Sequence, residues 1–158
     1  MNAFSTLARM YRFNYVFLET AVKEFTDADW IARPERGGNP AHWILGHLVH
    51  CRRSILELLG EEADSASLAG AYGRGSVPEA AFSPSTSALR EEIKSSGKRI
   101  AALLAEWTEE AAGADLGREM PDGSSTVGGA VNFLYTHETL HLGQLQYLGR
   151  TLGKAGIA

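Results

Sequence analysis

His137 and His141 stand four residues apart in the string His137-Glu138-Thr139-Leu140-His141. On a helix this spacing places two imidazoles one above the other on one face, which is what a single metal ion needs. Neutral imidazole is a metal ligand near physiological pH. If a coordination position stays open, the bound ion can act as a Lewis acid toward a small molecule. The third ligand decides which chemistry the pair supports.

The string also matches the HExxH helix pattern of zinc proteases. Those sites take a further ligand from downstream, either a Glu or a His six residues past the second His. Here position 147 is Tyr, and position 144 is Gln where the His-type pattern has Gly. After His141 the chain holds no Asp, Glu, His or Cys. A third protein ligand must therefore come from upstream, which argues against the protease reading.

Upstream, His42, His47 and His50 share one segment. Asn39-Pro40 predicts a helix start, with Asn as cap and Pro at the first helical position. Gly60 follows the last apolar residues. The apolar stripe is Ile44, Leu48, Cys51, Ile55 and Leu58. At about 100° per residue, His42 points opposite this stripe and His50 lies about 120° from it, while His47 sits on its flank. Only His47 is expected to face a bundle interior. His42 is expected in solvent at the helix start, and His50 either behind the metal ligands as a supporting residue or at a boundary. On the C-terminal helix the stripe is Val127, Ala130, Leu134, Leu145, Leu148 and Leu152. His141 lies near its centre and His137 on its flank. Three imidazoles, His47, His137 and His141, would suit zinc, nickel or iron(II).

Three neighbours qualify this reading. Glu138 falls on the buried side of the wheel, where a carboxylate is costly unless paired. It is a candidate general base acting on metal-bound water, but an orienting role or an ion pair with a neighbouring helix is the preferred expectation. Gln144, one turn past His141, is a candidate for orienting a ligand or a bound cofactor. Cys51 lies on the apolar stripe one turn after His47 and is expected to belong chiefly to the core.

The elements that must position these residues are helices. The 158 residues fit one domain, residues 1–158, with room for a real core. Apolar periodicity predicts four long helices, at roughly 3–25, 40–59, 83–107 and 125–152, with Ser83-Pro84 opening the third. No segment alternates as a strand would. The connection from Glu61 to Phe82 is too long for a turn. It is either a linker or, with Tyr72, Arg74 and Phe82, a cover over one end of the bundle. Pro121-Asp122-Gly123 reads as a turn. The expected fold is all-α, a four-helix bundle with a long crossover connection. A net charge of −4 argues against a nucleic-acid surface. No apolar run is long enough to span a membrane, and Met1 to Thr20 lacks the pattern of a signal peptide. One cysteine permits no internal disulfide and fits a reducing cytoplasm.

Asn39-Pro40-Ala41-His42-Trp43-Ile44-Leu45-Gly46-His47-Leu48, the stretch from His137 to Gly143-Gln144-Leu145, and Tyr147-Leu148-Gly149-Arg150 together resemble the DinB-like superfamily of metal-binding four-helix bundles. Asp29-Trp30, Arg33-Pro34 and Gly37 resemble the loop before its second helix. The resemblance spans essentially the whole chain. It implies a three-histidine site at His47, His137 and His141, usually for nickel or zinc, and a homodimer. It also implies a small-molecule substrate, since relatives include S-transferases and an isomerase that use low-molecular-weight thiols. A hydrolase using Glu138, a non-catalytic metal-binding or dimerisation module, and a metal-free bundle with hydrogen-bonded histidines remain as alternatives.

Overall fold

The computed structural model describes residues 4–34, 37–78 and 83–156. Among these the chain is all helical: α1 (Ser5–Ala21), α2 (Asp27–Ile31), α3 (Ala41–Leu58), α4 (Ala66–Tyr72), α5 (Thr86–Glu106), α6 (Glu109–Gly113) and α7 (Val127–Thr151). The four long helices, α1, α3, α5 and α7, form the bundle. Helices α1 and α3 each pack against both α5 and α7. The two histidine-bearing helices, α3 and α7, are therefore neighbours although about seventy residues separate them.

The helix ends follow local chemistry, with small shifts from the sequence expectation. Helix α3 starts at Ala41 with Pro40, not Asn39, at the cap position, and no side chain caps it. Helix α5 starts two residues later than Ser83-Pro84 suggested, because the Ser85 hydroxyl accepts from Ala88 N–H at 3.3 Å. Thr126 caps α7 by accepting from Gly129 N–H at 3.1 Å. Helix α1 stops at Ala21 rather than near residue 25. Both histidine helices close alike. Gly60 (φ 92°) and Gly153 (φ 76°) adopt left-handed backbone, and Glu61 N–H and Lys154 N–H reach back to the carbonyls of Leu56 and Gly149 at 2.9 Å. The turn at Pro121-Asp122-Gly123 forms as predicted, with Gly123 N–H on Met120 O at 2.9 Å.

The long connection contains α4, which packs on α3. It is a cover rather than a linker. Phe82 lies outside the described residues. This cover overturns the expectation for His42, which is 1% exposed. Its Nε2 and Nδ1 lie 3.0 Å from the Tyr72 hydroxyl and 2.9 Å from the Thr86 hydroxyl. The wheel placed His42 opposite the apolar stripe, but that face of α3 meets α4 and the start of α5 instead of water. Thirteen of the eighteen residues of α3 are buried, so one stripe cannot describe it.

The apolar interior falls into two clusters. One gathers Leu18, Trp30, Ile44, Leu48, Leu89 and Leu145, and the other Leu7, Tyr11, Ile55, Ile100, Leu104 and Val131. Between them lies a polar layer drawn from all four long helices: Asn14, Arg52, Ser96 and Glu138, all buried. Gly97 makes room for it, since a β-carbon there would stand 2.9 Å from Arg52 Nη1.

Candidate metal centre

His47, His137 and His141 come together where α3 meets α7. Each offers one ring nitrogen, and these three atoms lie within 4.8 Å of one another. Nε2 of His137 and Nε2 of His141 are 3.2 Å apart. The ring of His47 sits with its centre 5.1 Å from that of His137 and 4.7 Å from that of His141.

The outer ring nitrogens set the tautomers. His47 Nδ1–H donates to the Tyr72 carbonyl at 2.6 Å, and a carbonyl can only accept. Nε2 of His47 is therefore a bare lone pair. His141 Nδ1–H donates to Gln144 Oε1 at 2.8 Å, which leaves its Nε2 bare as well. His137 turns Nδ1 toward Cys51 Sγ at 3.8 Å. Either a proton on His137 Nε2 or a cation can fill the space among these nitrogens. Burial holds all three imidazoles neutral: it lowers His47 to about 4, helped by the nearby His141 and His50, and it lowers His137 and His141.

Flat rings fix the imidazole planes. Trp43 stacks on His47 at 5.0 Å with 6° between planes. The indole is itself held, with Nε1–H donating to Ala71 O at 3.1 Å and to Ser76 Oγ at 3.0 Å. Phe133 stacks on His137 at 6.0 Å. The tightest support is Tyr72, the last residue of α4. Its backbone holds His47, its hydroxyl donates to Ser83 O at 3.0 Å, and its ring lies against Gly46.

The cluster opens on a cleft of about 750 Å³. Its walls include Trp43, Met120, Phe133 and Leu134, with Asn39, Ser54, Arg74 and Arg118 supplying polar groups. His50 also lines it, its Nδ1–H on Ser65 O at 2.9 Å, consistent with the boundary position read from the sequence. Cys51 is buried as expected, yet its Sγ is 3.6 Å from His47 Nε2, so it forms part of the cleft floor as well as the core. Burial, reinforced by the charge of Glu138, pushes its thiol up to about 12.

Glu138 is directed elsewhere. Its carboxylate accepts from Arg52 Nε and Nη2, both at 2.8 Å, and from Asn14 Nδ2 at 3.1 Å. Among the described residues it bonds no imidazole. The buried carboxylate is thus paired from α3 and α1, the ion-pair arrangement weighed from the sequence. Sequence reasoning gave Arg52 and Trp43 no role at the site, and it named Tyr72 only as part of a possible cover. Trp43 carried a usable signal, because it precedes His47 by four residues. The Tyr72 contribution is a backbone carbonyl and leaves no trace in residue type.

The sequence model described as "DinB superfamily" matches residues 11–145, most of the chain. The chain belongs to the DinB superfamily. No curated protein gives a significant sequence match. Among solved structures, this DinB-superfamily chain is similar to YfiT from Bacillus subtilis, with a TM-score of 0.72 and 17% sequence identity, covering 96% of this chain and 89% of the other. YfiT is described as "a probable metal-dependent hydrolase with an unusual four-helix bundle topology". At that identity the likeness establishes the four-helix-bundle fold. No helix among the described residues is long and apolar enough to cross a membrane.

Proposed function

We propose that His47, His137 and His141 hold one divalent transition metal, and that the protein is a metal-dependent enzyme acting on a small molecule in the adjoining cleft. One observation carries this reading: three neutral imidazoles converge on one point while the outer nitrogens of two of them are bonded to the Tyr72 carbonyl and the Gln144 side chain. The 3.2 Å between two Nε2 atoms is close to the edge, about 3.3 Å, of a tetrahedron with metal–nitrogen bonds of about 2.0–2.1 Å. Three nitrogen ligands suit zinc or nickel, with iron(II) compatible, and leave at least one position for a further ligand.

The reaction that fits best is transfer of a low-molecular-weight thiol to an electrophilic substrate. When bound, the ion would keep a coordinating thiol deprotonated at neutral pH. The chain's own residues would then serve orientation. Tyr72 and Gln144 keep the imidazole lone pairs aimed at one point, and Trp43 and Phe133 hold the ring planes. This reaction needs no strong base from the protein. The cleft lining includes one carboxylate, Glu57, whose two oxygens already accept from Ser65 N–H and the Ser65 hydroxyl. Glu138 is placed to stabilise the bundle instead.

The description of YfiT favours hydrolysis as the second reading. Elemental analysis of protein purified without a His-tag decides the metal. Metal-loaded protein is then given a panel of small thiols with a reporter electrophile, and in parallel a panel of ester and amide substrates. Thiol consumption accelerated only with metal present supports transfer. No acceleration with any thiol, with metal content verified, would overturn it.

A further inference from the structure

Two exposed arginines, Arg74 and Arg118, line the histidine cleft on the segments that follow α4 and precede α7. Arg74 follows α4, two residues after the Tyr72 carbonyl that holds His47. Arg118 sits on the connection between α6 and α7, which is folded on itself by Leu116 N–H on Ser125 O and Met120 N–H on Ser124 O, both at 2.8 Å, and tied to the start of α7 by Val127 N–H on Ala114 O at 2.9 Å. Both arginines line the cleft and are exposed.

Four other arginines are held in ion pairs, Arg33 bonds the Pro78 carbonyl, and Arg9 and Arg12 lie on α1 outside the cleft. Arg52, Arg53, Arg90 and Arg99 are each paired with a carboxylate: Glu138, Glu92, Glu19 and Glu61. Among the described residues, Arg74 and Arg118 have no hydrogen bond and no ion pair. The one acid in the lining, Glu57, is engaged with Ser65. Among the described residues the cleft lining thus sets two guanidinium groups against one carboxylate, in a chain whose net charge is −4. Guanidinium groups present paired N–H donors matched to a carboxylate. The same lining includes the apolar side chains of Trp43, Met120, Phe133 and Leu134. A pocket with an apolar body and a few charged groups at its rim selects a ligand of the same pattern.

We propose that Arg74 and Arg118 form a carboxylate-binding subsite, so that the molecule presented to the imidazole cluster is a small organic acid with an apolar body. This names the substrate class for the site and rests on that cleft being the reaction chamber. The reacting atom would lie deep, near the histidines, with the carboxylate held at the entrance.

The test compares 3-phenylpropanoate with its neutral amide by calorimetry, on metal-free and on metal-loaded protein. The acid should bind about tenfold tighter than the amide in both forms, as expected for charge-assisted hydrogen bonds. That preference should shrink as salt is raised, because the arginines are exposed. The double variant Arg74→Gln/Arg118→Gln should bind acid and amide within threefold of each other. Equal binding of acid and amide by the unaltered protein would overturn the proposal, and so would an undiminished preference in the double variant. A preference found only in the metal-loaded protein would also overturn it, since the ion and not the arginines would then hold the acid. Cobalt(II) absorption recorded on the same samples separates the two readings: acid preference without cobalt binding sinks the metal centre and leaves the arginine subsite standing.

Discussion

Gly46→Ala is the sharpest test of how α4 serves the metal centre. A β-carbon on residue 46 would stand 2.3 Å from Cδ1 and from Cε1 of Tyr72, and 2.7 Å from Cζ. Ordinary carbon contacts are about 3.5–4.0 Å, so the ring must retreat by more than an ångström. It cannot swing freely, because it is 4% exposed and its hydroxyl is bonded to both His42 and Ser83. The whole end of α4 has to move, and with it the carbonyl that accepts from His47 Nδ1–H. Two effects on folding oppose each other. Overpacking costs about 1–3 kcal/mol, while Ala in place of Gly within a helix returns about 1 kcal/mol. Net stability should therefore drop by only about 0–2 kcal/mol. Metal affinity should fall much further, by about 10–100-fold, the usual cost of losing a partner that orients a histidine ligand. Urea unfolding of chelated protein measures the first quantity, and zinc competition with a chromophoric chelator the second. Gly70→Ala in α4, where the added methyl meets nothing, is the control. A folded Gly46→Ala protein that binds zinc within threefold of the parent would refute the claim that Tyr72 aims His47.

Other perturbations separate the remaining contacts. Arg52→Met alone should destabilise by about 3–5 kcal/mol in urea unfolding, because it leaves the buried Glu138 carboxylate without its charged partner, whereas Arg52→Met with Glu138→Leu should recover most of the loss. Gln144→Leu should lower metal affinity by about tenfold while leaving the unfolding midpoint of the metal-free protein unchanged, since Gln144 is exposed. Metal-free protein should gain stability as pH rises from about 4 to about 6.5. His47 in the folded state titrates below its unfolded value, so within that window the unfolded chain holds a proton that the folded chain lacks, and acid favours unfolding. Urea midpoints that stay flat across the window, or that slope equally in His47→Leu, would contradict this.

The four long helices and the three converging histidines were legible because they leave periodic marks. Apolar spacing located α1, α3, α5 and α7 to within a few residues, and the wheel placed His47, His137 and His141 inward. What failed was local to α3 and its cover. His42 was assigned to solvent because a single stripe presumes one buried face, and a central helix has several. Helices α2, α4 and α6 have five to seven residues and show no readable period. The start at Ser83 was misplaced because that run offers more than one residue suited to a cap, and the start at Asn39 because α3 forms with no side-chain cap at all. Glu138 was correctly judged to need a partner, but its partner lies 86 residues away in sequence, and no spacing rule reaches that far.

The polar layer of Asn14, Arg52, Ser96 and Glu138 also bears on how tolerant this scaffold is to change. Sliding α7 by one turn along α3 would strand a guanidinium and a carboxylate in oil, at several kcal/mol per ion. That penalty acts as an alignment pin, and it sits beside His137 without using any imidazole nitrogen. Alignment of the helices and capture of an ion are thus under separate control. Descendants of such a chain are free to lose their histidines, or to exchange them for other donors, while inheriting an undisturbed frame.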